Sequence, residues 1–180
     1  SKHLTALLGI LRCSYNIDEQ TKTIEVATSL IEEPNIDSII RNEALYCRAK
    51  VYIKNKQFGL AVVDLNSVAK EVRTAQGAEA KYLLAECYYQ LNAIDTAEQE
   101  IMSFTQQQTS HQYWLAKSLI LLADINVTRN ELFQAKQYLL ALQKNYRVQD
   151  DVQTTINEKL ELINQLEIQQ TNDTTQIQQL

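Results

Sequence analysis

Apolar residues recur at three- and four-residue intervals along most of this chain, the period of an α-helix with one buried face. In "RNEALYCRAKVYIKNKQFGLAVVDLNSVAK" two such runs flank a short polar break at Asn55 to Gln57. The arrangement returns in "GAEAKYLLAECYYQLNAIDTAEQEIMSFTQ", broken at Asn92 and Ala93, and in "LAKSLILLADINVTRNELFQAKQYLLALQK", broken from Thr128 to Asn130. Each segment predicts two helices joined by a tight turn.

The three segments align on Ala61, Ala97 and Ala135, spaced by 36 and 38 residues. That register brings Ala49, Ala85 and Ala123 into one column, Tyr52, Tyr88 and Asn126 into a second, and Phe58, Ile94 and Leu132 into a third. Two antiparallel helices approach closely only where the facing side chains are small, which is the physical reason for alanine at two fixed slots. Tyr52 and Tyr88 are expected to fill the space between one hairpin and the next.

A weaker hairpin precedes these, with Thr23 where alanine is expected, Gln20 where an aromatic would sit, and Pro34 to stop its second helix. Downstream, Val152, Ile156, Leu160 and Ile163 share one face of a helix that Asp150 or Asp151 would cap. The polar, Gln/Thr-rich segment "IQQTNDTTQIQQL" is expected to be a disordered tail. The organisation predicted is a degenerate hairpin over 1–34, hairpins over 42–75, 78–111 and 116–149, a capping helix over 150–167, and the tail over 168–180.

Composition sharpens the fold class. With 45% hydrophobic residues, 180 residues can bury a core, and only 3 Gly and 1 Pro leave too few turn residues for a many-stranded sheet. The chain reads as all-α. A net charge of −5 without any long run of Lys or Arg gives no general attraction to nucleic acid or anionic lipid. The most apolar stretch, "WLAKSLILLADI", is interrupted by Lys117 and Asp124 and is too short to span a membrane, so direct insertion is not expected.

Candidate chemistry is sparse. Cys13, Cys47 and Cys87 form no C-x-x-C pair, and they are expected to be buried or half-buried thiols; one Cys47–Cys87 bridge is the oxidised alternative. His3 and His111 lack neighbouring ligands at helical spacing, so no metal site is predicted. No phosphate-cradling glycine loop and no nucleophile elbow occurs, and neighbouring carboxylates such as Glu32 and Glu33 point to different helix faces. No enzyme activity and no cofactor is expected.

The repeated pattern resembles the tetratricopeptide repeat: Leu45, Arg48, Ala49, Tyr52, Ala61, Leu65; then Lys81, Leu84, Ala85, Tyr88, Ala97, Ile101; then Leu119, Leu122, Ala123, Asn126, Ala135, Leu139. The Trp that often opens that pattern and its closing Phe are missing, and Asn126 replaces an aromatic. The resemblance covers about residues 42–149. It implies a right-handed superhelical solenoid of antiparallel hairpins whose first helices line a concave wall.

On that wall the resemblance places Glu43, Tyr46, Lys50, Ile53 and Lys54; Glu79, Tyr82, Glu86, Tyr89 and Gln90; and Lys117, Ile120, Asp124, Val127 and Thr128. The residues expected to contact a peptide or protein partner are Tyr46, Lys50, Lys54, Tyr82, Glu86, Tyr89, Gln90, Lys117 and Asp124, the tyrosines offering apolar area plus a hydroxyl. Only Lys117 fits the basic set used in this family to clamp chaperone carboxy-terminal tails, so that ligand is not expected. Trp114 is expected to pack near Phe104.

The implied role is a non-enzymatic interaction scaffold, with a self-association module of a larger protein as the second reading. The segments "AEAKYLLAECYY" and "HQYWLAKSLILLADI" are similar to repeat regions of bacterial proteins, particularly of Bacteroidetes, some linked with the cell envelope. The chain starts at Ser1 directly within a periodic segment, which is expected for a trimmed piece. An envelope or periplasmic location is therefore favoured over a cytoplasmic one without being fixed.

Overall fold

The computed structural model describes residues 2–177, with side chains described for 2–172. Among these residues nine helices and no strands occur: α1 (Lys2–Asn16), α2 (Gln20–Glu32), α3 (Ser38–Lys54), α4 (Phe58–Val68), α5 (Ala75–Gln90), α6 (Ile94–Gln106), α7 (Gln112–Thr128), α8 (Leu132–Asn145) and α9 (Asp151–Ile177). The protein is all-α.

The helix boundaries have local causes. The Asp37 carboxylate accepts from the Ile39 amide at 2.8 Å, the Thr74 hydroxyl from the Gly77 amide at 3.0 Å, and the Asp150 carboxylate from the Val152 amide at 3.0 Å. Gly77 is needed for space, since a Cβ there would lie 2.0 Å from the Glu71 carbonyl oxygen. The α2 helix stops at Glu32, ahead of Pro34.

Four turns share one backbone solution. Asp18, Lys56, Asn92 and Asn130 adopt φ of 60°, 57°, 59° and 63° between α1/α2, α3/α4, α5/α6 and α7/α8. At each turn the next amide reaches back to the carbonyl five residues before it: Glu19 to Ser14, Gln57 to Tyr52, Ala93 to Tyr88 and Glu131 to Asn126, at 2.8 to 2.9 Å. A left-handed residue followed by such a bond closes a helix and reverses the chain. Through this geometry α1 and α2 fall into register with the three later pairs.

Every helix packs on the next in sequence, and α1 touches α3, α3 touches α5, α5 touches α7 and α7 touches α9. Among the described residues the backbones of no two even-numbered helices come within 8 Å of one another at their Cα atoms. The odd-numbered helices therefore form one continuous layer and the even-numbered helices a second. Ala49, Ala61, Ala85, Ala97 and Ala135 are fully buried where the paired helices meet, and Thr23 fills the same slot on α2 with its hydroxyl bonded to Ser14 and the Glu19 carbonyl.

Two ion pairs cross between the layers, with their acids, Asp64 and Glu100, at matching positions and their cations one turn apart. Arg48 on α3 forks onto Asp64 of α4 at 2.7 and 2.8 Å and also reaches Thr28 of α2, while Lys81 on α5 meets Glu100 of α6 at 2.6 Å. Asp64 is buried, and the Arg48 guanidinium donates to both of its carboxylate oxygens.

Two expectations are corrected. The last helix does not end at residue 167 ahead of a disordered tail: α9 continues to Ile177, and residues 178–180 lie outside the described part. No Gly or Pro interrupts this stretch, and the contacts of Lys136 with Glu167 and of Gln170 with Asn130, at 2.7 and 2.5 Å, hold it along α8. Cys13, expected to be buried or half-buried, is exposed on α1, whereas Cys47 and Cys87 are buried free thiols. Among the described residues no helix covers the face of α1 on which Cys13 lies.

Candidate functional site

The candidate residues stand on the layer of odd-numbered helices, and most are joined to one another. On α3, the Tyr46 hydroxyl donates to Glu79 Oε2 of α5 at 2.7 Å and Lys50 Nζ lies 2.5 Å from Glu79 Oε1. Tyr46 is buried, and that burial, followed by the adjoining Glu79 carboxylate, pushes its phenol well above the ordinary tyrosine range. Lys54, at the end of α3, is exposed and pairs with Asp18 of the α1/α2 turn.

Further along the layer, the half-buried Tyr82 donates to Glu86 Oε1 at 3.0 Å within α5 and stacks on Trp114 of α7 with ring centroids 5.7 Å apart. Burial first, then the Glu86 charge, raises the Tyr82 phenol strongly. The Tyr89 hydroxyl shares a 3.0 Å hydrogen bond with Thr128 Oγ1 of α7, and Gln90 is exposed at the end of α5.

On α7, Lys117 Nζ lies 3.6 Å from Asp151 and 6.0 Å from the centre of the Tyr113 ring. The Tyr113 hydroxyl donates to the same Asp151 at 3.1 Å. Asp124 accepts from Lys159 of α9 at 2.5 Å. At the opposite end of the layer Arg12 forks onto Glu43 at 2.6 and 2.8 Å, linking α1 to α3.

The layer is thus a relay of cross-helix contacts in which cations and carboxylates alternate. Several members were not among the candidates: Arg12, Glu43, Glu79, Tyr113, Trp114, Asp151 and Lys159. A signal for part of this existed in the opposite charges that the end of one repeat's first helix and the start of the next repeat's carry, Lys50 before Glu79 and Glu86 before Lys117. The first of these pairs forms; Lys117 instead turns to Asp151. Trp114 packs with Phe104, Val72 and Ala78, and its stacking on Tyr82 was not anticipated.

A cavity of about 470 Å³ opens beside this relay, lined among others by Tyr15, Asp18, Thr23, Lys50, Ile53 and Lys54. Its charged groups are already paired, Lys50 with Glu79 and Lys54 with Asp18, and most of its exposed lining is apolar. The three functional groups needed for nucleophilic catalysis, a nucleophile with a base and its orienting partner, are not brought together by the candidate residues.

The fold and this wall define an all-α protein of serially packed helices with an ionic and aromatic layer on one side. Searches against protein-family models and curated proteins find no match for the chain.

Proposed function

We propose that this chain is a non-enzymatic scaffold, a tetratricopeptide-like solenoid of helix hairpins that takes a peptide or protein segment against the layer formed by α1, α3, α5, α7 and α9. The observation that carries the reading is the four-fold recurrence of one turn at Asp18, Lys56, Asn92 and Asn130, together with the contact of each odd-numbered helix with the next odd-numbered one. Equivalent hairpins stacked in this way give a curved array whose first helices share one face.

The binding residues on this reading are Lys50, Lys54, Glu86, Tyr89, Gln90, Lys117 and Asp124, with Tyr46 and Tyr82 supporting them from below. A segment bearing both charge signs would compete for Glu79, Asp151 and Lys159, substituting its own side chains for the internal partners. That cost makes the expected binding selective more than tight, since each displaced contact must be replaced.

The test is capture from a lysate of the source cells with the wild-type chain and with a Tyr89→Ala/Lys117→Ala variant, whose positions are not fully buried. A protein retained by the first and lost by the second, with unchanged helicity in both, supports the reading. Identical retention by both chains removes this face from the site.

A further inference from the structure

The aromatic column of the hairpins ends on α7 with a short amide. Tyr52 and Tyr88 each press a half-buried ring against the core, whereas Asn126 stands in that column on α7. The smaller side chain leaves open space that a ring would enter. Beside it lies a cavity of about 700 Å³, walled by residues of α6, the α7/α8 turn, α8 and α9.

Only 4% of Asn126 is exposed, and its Nδ2 donates to the Leu122 carbonyl at 2.7 Å. A carbonyl can only accept, so the amide nitrogen is fixed toward it and Oδ1 turns away. Among the described residues nothing donates to Oδ1, and no enclosed side-chain oxygen is left without a partner, so this acceptor opens into the cavity. A buried amide oxygen is costly without a donor.

The other polar groups on the walls are largely acceptors as well. Glu98 of α6 and Glu167 of α9 each engage one oxygen, Oε2, with Arg129 and Lys136, and Arg129 is shared with Asp95. Glu131 in the turn is exposed and makes no ion pair among the described residues. Phe133, 71% exposed, adds an uncovered ring to the lining. Among the described residues no three carboxylates stand together as a metal ion requires, so these acceptors suit donors carried on a longer frame. The following chain does not supply them, because no Lys or Arg comes after Lys159.

We propose that this cavity is a binding site for an organic cation, an ammonium or guanidinium group on an apolar stem. Its N–H groups donate to Asn126 Oδ1 and Glu131 while the stem lies on Phe133. The same chemistry comes from a free polyamine or from a lysine or arginine side chain. None of the residues assigned to the binding wall lines this cavity, so the site holds or fails independently of the scaffold reading.

Nuclear magnetic resonance of the full chain, read at the backbone amides of Asn130, Glu131 and Leu132, tests this. The probes are spermidine, N-acetyl-lysine amide and N-acetyl-arginine amide, with N-acetyl-glutamine amide as the neutral control. At least one cation is expected to shift these amides saturably and the neutral control to leave them in place. Glu131→Gln is expected to weaken that binding about tenfold, the loss of one charge-assisted contact, while Glu71→Gln outside the cavity leaves it unchanged. Asn126→Leu is expected to abolish it; Glu131→Gln, at an exposed position, decides the matter even if that buried replacement does not fold. Tighter binding of spermidine supports the site with a free polyamine as its ligand, and tighter binding of the amino-acid amides supports it with a side chain. No saturable shift with any cation, an equal shift with the neutral control, or binding that Glu131→Gln leaves at full strength would overturn the proposal.

Discussion

Lys50 Nζ lies 2.5 Å from Glu79 Oε1, so a cation of α3 is held by a carboxylate of α5 whose second oxygen already accepts from the buried Tyr46 hydroxyl. One acidic group therefore ties two helices of the layer together. Glu79→Ala leaves the Tyr46 hydroxyl buried without this acceptor and is expected to cost about 1–3 kcal/mol. Lys50→Ala, at a more solvated position, is expected to cost under about 1 kcal/mol. Urea unfolding of both variants checks the order; equal effects would show that the lost Tyr46 hydrogen bond adds nothing to the loss of the ion pair.

Lys56 occupies a left-handed conformation that its side chain disfavours, at the slot where Asn92 and Asn130 stand in later turns. Lys56→Gly is expected to stabilise the fold by about 0.5–1 kcal/mol, because the left-handed strain is larger than the added freedom of the unfolded chain. Asn92→Ala, the reverse kind of change, is expected to destabilise by a similar amount. Thermal midpoints measured side by side decide it, and a destabilised Lys56→Gly would count against the turn geometry.

Ala97 is fully buried between α5 and α6. Replacing it with Leu forces the two helices apart and is expected to cost about 1–3 kcal/mol. A variant as stable as wild type would mean that the helix pair does not meet at this residue.

Burial pushes the Cys47 and Cys87 thiols up to about 12, with the nearby Glu43 and Glu86 charges adding to the effect, while Cys13 is exposed. At mildly alkaline pH a thiol reagent is expected to label Cys13 quickly and the other two only on unfolding. The folded chain holds two protons that the unfolded chain releases above about 9. Their contribution to stability is therefore complete below that pH and declines as pH rises toward about 12. Fast labelling of three thiols in the folded protein would contradict this.

Much of the helical order was legible because its signals are local. The period of the apolar residues, the turn residues Asn92 and Asn130, and the alanine columns all act within a few positions of one another, and Ala49, Ala85 and Ala97 are indeed fully buried. The wall was less legible. Which carboxylate Lys117 meets depends on how α7 lies against α9, a relation that spacing within one repeat does not encode. Tyr46 likewise reads as a surface residue in its own helix, and becomes buried only through α5 and the Glu79 bridge. The extension of α9 past Glu167 was missed because its polar sequence lacks a clear apolar face, although nothing in it breaks a helix and α8 supplies the polar anchors.

The measurement closest to the central claim is photo-crosslinking of the captured partner, with the reactive group placed once at Gln90 on α5 and once at Met102 on the exposed side of α6. The scaffold account predicts a crosslink from position 90, lost when Tyr89 and Lys117 are replaced by Ala, and none from position 102. A partner that crosslinks from α6, or equally from both positions, would place binding on the other layer and contradict the account.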